Sequence, residues 1–250
     1  MRIISLCPSL TELVFDLGRG DDLVGITKFC VHPAALVGAI EKVGGTKDPL
    51  IDRIRELQPD VVLFNQEENR KQDHDQLLEA GIHVCNSFPK NALETAQMVR
   101  FIGAELEREH EAQAIATDIE QRVARVLKAA VGQPRVRFAY FIWRKPWMSV
   151  NGDTFASSML EQAGAVNVFA ALEDRYPVVK LEDLTAANVD LILLCTEPFV
   201  FKQKHIEEVA LATGVASDRI LIADGEYLSW HGSRTPAGVD YAAAMVAGAR

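Results

Sequence analysis

Residues 59–65 read PDVVLFN, and this stretch decides the interpretation of the fold. A proline is followed by an unbroken apolar run, which is typical of a parallel β-strand buried on both faces. Helix-like patterns lie on either side of it, over Leu50–Leu57 and Asn69–Ala80. A strand between two helices at this spacing predicts βαβ units and a parallel sheet.

The same alternation extends outward over residues 1–90. Further strands are predicted at Ile3–Leu6, Leu23–Thr27 and His83–Asn86. A first helix, Ser9–Leu17, is predicted to start with a capping box of Ser9 and Glu12 and to stop at Gly18.

The sequence changes character after residue 90. From Asn91 to about Val131, apolar residues recur every three to four positions among polar ones, which predicts a long helix. Only Gly103 interrupts this stretch, so the alternative to one long helix is two helices divided near Gly103. After Pro134 the strand–helix alternation resumes, with strands in VRFAYFI, VDLILLC and ILIAD.

We therefore predict an α/β fold with two lobes. The lobes comprise residues 1–90 and 134–250, and a single long backbone helix within 91–133 joins them. A stiff connection of this kind favours a largely preformed ligand site.

Net charge, the length of the apolar runs and the absence of known motifs argue against several classes of function. The chain of 250 residues carries a net charge of −9, which argues against a nucleic-acid partner because phosphates require a basic face. No apolar run approaches the roughly 18 residues of a membrane span. Phosphate-loop, dinucleotide, nucleophile-elbow and zinc-protease motifs are absent, so we predict that the protein is not an enzyme.

The cysteines and the start of the chain bear on localisation. The four cysteines form no CxxC pair and are predicted to be unpaired thiols, as in a reducing compartment. Strand-like sequence begins at Ile3, without the pattern of a secretory leader. We expect a cytoplasmic protein if this is the native start, and a periplasmic or cell-surface protein if a leader was removed.

Ligands of open parallel sheets bind beyond the carboxyl ends of the strands, and the segments at those ends are rich in aromatic and histidine residues. Such loops predict a cleft for a large, flat or partly apolar ligand. The candidate contacts of this kind are Phe29, His32, Trp143, Trp147, Tyr176, Trp230 and His231.

Charged candidates lie in the same loops. Glu67, after PDVVLFN, is predicted either to contact the ligand or a hard cation with Glu68, or to cap the helix that follows. Arg144 and Arg234 lie beside tryptophans and suit carboxylates or phosphates on a ligand.

Direct metal binding is an alternative. Cys30 and His32 are two residues apart, so on an extended loop both would face one zinc, cobalt or copper ion, with His231 completing the site. A cluster-dependent oxidoreductase, with ligands from the four cysteines, is a weaker alternative because cluster ligands are usually closer in sequence.

The sequence resembles a known family in three stretches. Residues 2–33, RIISLCPSLTELVFDLGRGDDLVGITKFCVHP, are similar to the opening of the cobalamin- and ferric-siderophore-binding proteins of ABC importers. Residues 42–64 resemble the next unit of that family, and residues 138–169 resemble the start of its second lobe. The resemblance implies two Rossmann-like three-layer α/β lobes joined by a single long backbone helix, with a ligand cleft between the lobes. It also implies a metal-chelate ligand: a corrinoid, a ferric siderophore or haem.

The resemblance also implies roles for individual residues. Tyr176 falls where a cleft aromatic is expected, and His32 where some members have tyrosine; Thr46 and Asn65 stand where cobalamin binders often have tryptophan. Family members dock on an ABC permease through one surface carboxylate per lobe, which here implies Asp52 and Glu182. No further cofactor is predicted.

Overall fold

The computed structural model describes all 250 residues, and they form two compact units. Unit 1 contains residues 1–89, 94–118 and 231–233. Unit 2 contains residues 90–93, 119–230 and 234–250. The chain therefore returns to unit 1 for three residues near its end.

Unit 1 is built on a four-stranded parallel sheet in the order β2-β1-β3-β4. All five residues of the PDVVLFN strand are buried, as expected for a central parallel strand. The strands are β1 (Ile3–Ser5), β2 (Leu23–Ile26), β3 (Val61–Asn65) and β4 (Val84–Ser87), and the helices between them are α1 (Pro8–Asp16), α2 (Ile51–Glu56) and α3 (Lys71–Glu79).

Helix α1 does not begin with the predicted capping box. Its N-cap is Cys7, which makes no side-chain cap, and Pro8 occupies the first turn. Proline suits that position because its fixed φ matches the helix and it has no N–H to satisfy. Ser9 is therefore inside the helix, whereas Gly18, at φ +73°, ends it as predicted.

The long helical region is divided in two. Helix α4 spans Ala92–Glu105 and helix α5 spans Glu109–Ala130, which is the division into two helices that the sequence offered beside a single long one. The break lies after Gly103, at Glu107, whose φ is +55°. Gly103 instead permits close packing, because an added Cβ would lie 2.2 Å from the Cβ of Ala112 on α5.

Unit 2 contains a second, mostly parallel sheet, in the order β6-β5-β8-β9. Strand β7 also pairs with β5 and is parallel to it, whereas β6 pairs with β5 in the antiparallel sense. The strands are β5 (Val136–Trp143), β6 (Met148–Ser149), β7 (Ala165–Asn167), β8 (Leu191–Cys195) and β9 (Ile220–Ala223), and the helices are α6 (Phe155–Glu161), α7 (Asp183–Ala186), α8 (Gln203–Thr213), α9 (Gly225–Ser229) and α10 (Thr235–Gly248).

Each unit has an apolar core beneath its helices. Ile4, Val62 and Leu77 are fully buried in unit 1, as are Ile192 and Val209 in unit 2. This burial fixes the sheets, so the loops at their carboxyl ends are held on rigid supports. None of the helices combines the length and the apolar character that crossing a membrane requires.

Candidate ligand-binding site

Asn65, the last residue of β3, is the centre of a buried hydrogen-bond network in unit 1. Its Oδ1 accepts from the backbone N–H groups of Glu67 (3.0 Å) and Glu68 (3.2 Å). Its Nδ2 lies 3.2 Å from the carbonyl oxygen of Ser87 at the end of β4, and 3.0 Å from Nε2 of His231. Asn65 has no exposed surface, so these partners replace the water it has lost.

Asn69 continues the network across the carboxyl ends of the strands. Its Oδ1 accepts from the backbone N–H of Asn65 at 2.9 Å. Its Nδ2 donates to the carbonyl oxygens of Leu6 and Thr46, both at 2.9 Å. The Asn69 side chain therefore connects the end of β3 with the segment after β1 and with the loop that contains Thr46.

The thiols at this edge are buried and engaged. The thiol of Cys30 lies 3.0 Å from Oγ1 of Thr11 and 3.2 Å from Oγ1 of Thr27. Burial, together with the negative charge of Glu68, raises the pKa of the Cys7 thiol to about 12. A thiol with that pKa remains protonated at neutral pH, whereas a metal ligand must be a thiolate.

The three residues proposed as direct metal ligands have different surroundings. Cys30 is 3% exposed, His231 is 5% exposed and His32 is half-buried. No group of three or more histidine, cysteine, aspartate or glutamate side chains is arranged to hold a metal ion. Direct metal binding through these residues remains a prediction.

The acidic pair after β3 does not cap the next helix. Helix α3 has Arg70 as its N-cap and no side-chain cap, so the predicted capping role of Glu67 is wrong. The backbone oxygen of Glu67 instead accepts from Nζ of Lys47 at 2.8 Å. Burial is the main cause of the raised pKa of Glu68; the charge of Glu67 adds to it and that of Lys47 opposes it.

The loop after β2 presents apolar surface to solvent. Phe29 is 51% exposed, and Nζ of Lys28 lies 5.3 Å from the centre of its ring. Val31 is 48% exposed. An aromatic ring and an aliphatic side chain left in water at a strand end are available for contact with a ligand.

In unit 2 the aromatic residues of three segments meet in one cluster. Phe201 is 2% exposed and lies at its centre, stacked on Trp147 at 5.8 Å and edge-on to Phe199 at 4.8 Å. Trp143 packs against Phe199 at 5.7 Å and is 39% exposed. The buried Phe201 therefore supports Trp143, at the carboxyl end of β5, through the partly buried Phe199.

His205 of helix α8 closes the inner side of this cluster. Its ring lies 5.4 Å from that of Phe201, and its Nδ1 accepts from the backbone N–H of Lys202 at 2.8 Å. Burial lowers the pKa of His205, and the positive charges of Lys204 and Arg144 add to this. The ring is therefore neutral at pH 7, in agreement with its role as acceptor.

Arg144 forms an ion pair with a carboxylate of its own unit. Its guanidinium binds Glu208 in a bidentate manner, with Nε–Oε2 at 2.9 Å and Nη2–Oε1 at 2.8 Å. The ion pair lowers the pKa of Glu208. Arg144 also lies 5.9 Å from the ring of Trp147. Its first role is to hold α8 against the loop after β5.

Trp230 differs from Trp143 because it is only 8% exposed. Its Nε1 donates to Oε2 of Glu197 at 3.0 Å, and the guanidinium of Arg234 lies 5.1 Å from its ring. Arg234 in turn pairs with Glu226 at 2.6 Å. These contacts fix the position of the Trp230 ring. Tyr176, another aromatic candidate, is half-buried in the loop before Pro177.

Several residues of these networks were not among the sequence candidates. Asn65 and Asn69 could have been identified from the sequence, because they are polar amides at and shortly after the end of a buried apolar strand. The partners of the aromatic and basic candidates could not have been identified in this way, because they lie far away in the sequence. Glu208, for example, is 64 residues from Arg144. The residues concerned are Asn65, Asn69, Ser87, Glu197, His205 and Glu208.

Comparison with known proteins agrees with this arrangement. The profile of a family described as periplasmic binding protein matches residues 3–218. The vitamin B12-binding protein of Vibrio cholerae serotype O1 is 24% identical over 236 residues, which are 94% of this chain and 84% of that protein.

Solved structures show the same fold. The periplasmic vitamin B12-binding protein of Vibrio cholerae superposes with a TM-score of 0.86 at 22% identity, covering 99% of this chain and 97% of the other. The periplasmic heme-binding protein of Roseiflexus sp. RS-1 superposes with a TM-score of 0.85 at 21% identity, covering 100% and 99%. The chain is a binding protein rather than an enzyme, and it belongs to the periplasmic binding protein family.

Proposed function

We propose that this protein binds an intact metal chelate, namely a corrinoid, haem or a ferric siderophore, and delivers it to an ABC importer. The observation that carries the proposal is the partly exposed Trp143, which packs on Phe199 of the aromatic cluster at the carboxyl end of β5. Flat macrocycles and chelates bind to exposed aromatic surface of this kind. Relatives named for vitamin B12 and heme binding support the same class of ligand.

In unit 2 the proposed contacts form an apolar rim. Val178 is 63% exposed and Val200 is 58% exposed, and each lies in a loop that adjoins the aromatic cluster. Tyr176 lies two residues before Val178. Trp147 is part of the aromatic cluster. Trp230, Arg144 and Arg234 are further proposed contacts, and each arginine is paired with a carboxylate of its own unit.

In unit 1 the proposed contacts are more polar. Phe29, His32 and Glu67 are at least partly accessible, whereas Thr46 and Asn65 are buried and used in hydrogen bonds. Unit 1 therefore offers less stacking surface than hydrogen-bonding surface. This favours a chelate with polar groups at its edge, such as carboxylates or amides.

Docking on a permease is the second part of the proposal. Asp52 lies in the first turn of α2 with a side chain 94% exposed, 3.5 Å from Nη1 of Arg55. Glu182 is exposed at the start of α7. Exposed carboxylates of this kind suit arginines on a membrane partner. In this role the protein works on the outer side of the cytoplasmic membrane.

A fluorescence titration tests the proposal. All three tryptophans, Trp143, Trp147 and Trp230, belong to unit 2, so their emission reports a ligand bound there. The panel is cyanocobalamin, haem, ferrichrome and the free ions Zn²⁺, Co²⁺ and Fe³⁺. We expect saturable quenching by one chelate at micromolar concentration.

Two variants sharpen the test. Trp143→Ala should weaken chelate binding at least about tenfold, which corresponds to about 1.4 kcal/mol. Phe101→Ala removes an aromatic ring of similar exposure, 48%, from α4 and should leave binding unchanged. A response to free ions alone, or equal effects of the two variants, would overturn the proposal.

A further inference from the structure

We propose that the aromatic cluster of unit 2 selects an anionic chelate, one whose edge carries carboxylate or catecholate groups. Lys145, Lys202 and Lys204 are the residues that recognise this charge. The inference deepens the proposed function and rests on it. It separates haem and ferric catecholates, which are anionic, from cyanocobalamin and ferrichrome, which carry no net charge.

The two segments that form the aromatic cluster carry an excess of positive charge. Residues 143–147 and 199–208 contain four basic side chains and two carboxylates. They are Arg144, Lys145, Lys202, Lys204, Glu207 and Glu208. The whole chain, in contrast, has a net charge of −9. A local reversal of sign attracts anionic ligands to this surface although the protein as a whole repels them.

The three lysines have their charge available for a ligand. Lys145, Lys202 and Lys204 are all exposed, and none of them forms an ion pair with a carboxylate. Within the two segments they are opposed by Glu207, which is exposed on α8. Lysine presents a compact ammonium charge on a flexible stem, so each of these side chains can follow the edge of a bound molecule.

The other carboxylates near the aromatic cluster already have partners. Glu208 is held by the guanidinium of Arg144, with Nη2–Oε1 at 2.8 Å. Glu197, two residues before the second segment, accepts a hydrogen bond from Nε1 of Trp230 at 3.0 Å. Because Arg144 and Glu208 offset each other, the excess positive charge at the cluster is that of the lysines.

The effect of these cations on His205 shows that they border the aromatic cluster. Burial lowers the pKa of His205, and the charges of Lys204 and Arg144 lower it further. Lys202 acts in the same direction, against the opposite effect of Glu208. Such effects decrease with distance and are screened by solvent, so the cations that exert them lie close to the histidine ring. That ring packs edge-on to the centre of the cluster at 5.4 Å.

The backbone at Lys145 is an independent indication of a binding role. Its φ is +66°, in the left-handed region that favours glycine. Lysine is costly there, so the requirements of the turn do not explain its presence. The ion pair with Arg144 is the main cause of the lowered pKa of Glu208, and Lys145 contributes in the same direction. The charge of Lys145 therefore lies beside the ion pair that borders the cluster.

Apolar surface next to the lysines suits the flat body of such a ligand. Trp143, two residues before Lys145, is 39% exposed, and Val200, two residues before Lys202, is 58% exposed. A macrocycle or catechol ring that packs on this surface places its acidic edge toward the lysine side chains. Aromatic contact then supplies affinity, and the lysines distinguish acidic chelates from uncharged ones.

Isothermal titration calorimetry with pairs of chelates of different charge is the test. Haem is compared with its dimethyl ester, which has the same macrocycle without the carboxylates. Ferric enterobactin, an anionic catecholate, is compared with ferrichrome, so the two pairs distinguish the two kinds of acidic group. In at least one pair the anionic chelate should bind about tenfold more tightly at about 0.05 M salt. This difference should narrow at about 0.5 M salt because of screening.

Variants connect the selectivity to the lysines. Lys145→Gly removes the cation from a backbone that suits glycine, so it should weaken binding of the anionic chelate about three- to fivefold without lowering the melting temperature. Glutamine at all three lysines should weaken that binding at least about tenfold and reduce its salt dependence. Lys128→Gln makes the same change of charge at an exposed position of α5 in unit 2 and should retain wild-type affinity.

The outcomes separate this inference from the proposed function. If cyanocobalamin or ferrichrome binds as tightly as the anionic chelates, the inference is wrong although the protein is a chelate receptor. The same conclusion holds if the triple glutamine variant behaves like Lys128→Gln. If no chelate binds at all, the proposed function fails and the inference fails with it.

Discussion

Replacing Phe201 by alanine tests whether this residue holds the aromatic cluster of unit 2 together. Phe201 is 2% exposed and contacts the rings of Trp147, Phe199 and His205 at 5.8, 4.8 and 5.4 Å. Removing a fully buried phenylalanine side chain costs about 3–5 kcal/mol, because apolar burial is lost and a cavity remains. We expect Phe201→Ala to lose about 4 kcal/mol of unfolding free energy.

Urea unfolding followed by tryptophan emission is the assay, because all three tryptophans belong to unit 2. With a urea dependence of about 2 kcal/mol per molar, a loss of 4 kcal/mol lowers the midpoint by about 2 M. Phe101→Ala is the matched control: it deletes the same ring from a position in unit 1 that is 48% exposed. We expect the midpoint seen by tryptophan emission to stay within about 0.3 M of wild type in this control.

The same variant connects packing to binding. Trp143 rests on Phe199, which rests on Phe201, so loss of the innermost ring should release the exposed one from its fixed orientation. Chelate binding should weaken in Phe201→Ala at urea concentrations where the unit remains folded. A midpoint shift below about 0.5 M would refute the view that Phe201 supports the cluster.

Three further predictions concern polar contacts. Asn69→Ala should cost about 2–4 kcal/mol in chemical unfolding followed by far-UV circular dichroism, because three buried hydrogen bonds are lost together. Glu208→Gln should cost at most about 1 kcal/mol, since the Arg144 pair is partly exposed; its effect on thermal melting should disappear in acid, because the lowered pKa of Glu208 gives stability that is lost as the pH falls through that pKa. Asp240→Asn should lower the midpoint of tryptophan-detected unfolding by about 0.5 M, because this carboxylate binds two arginines of α5; an unchanged midpoint would show that the pairs contribute nothing.

Regular elements with a clear hydrophobic period were predictable from the sequence. The strand β3 and its neighbours were placed within one or two residues, because an apolar run after proline has few other structures available. Strands β6 and β7, with two and three residues, were missed because so short a segment has no period. The break between α4 and α5 lies at Glu107, a residue type that does not mark a helix end in the sequence.

The candidate site was predictable in its location more than in its chemistry. Strand ends and aromatic loops pointed to the segments around Trp143 and Phe29. The partners that decide protonation and charge lie far away in sequence: Asn65 meets Ser87 and His231, 22 and 166 residues distant. No local pattern contains such information, because it arises only when the sheet brings the strand ends to one edge.

Native mass spectrometry of the protein mixed with the panel of chelates tests the central claim most directly. The account predicts one intact chelate per chain, with a mass equal to that of the protein plus metal and organic ligand together, and loss of this species in Trp143→Ala. Binding of a bare metal ion without its organic ligand, or an equal amount of complex in Trp143→Ala, would contradict it.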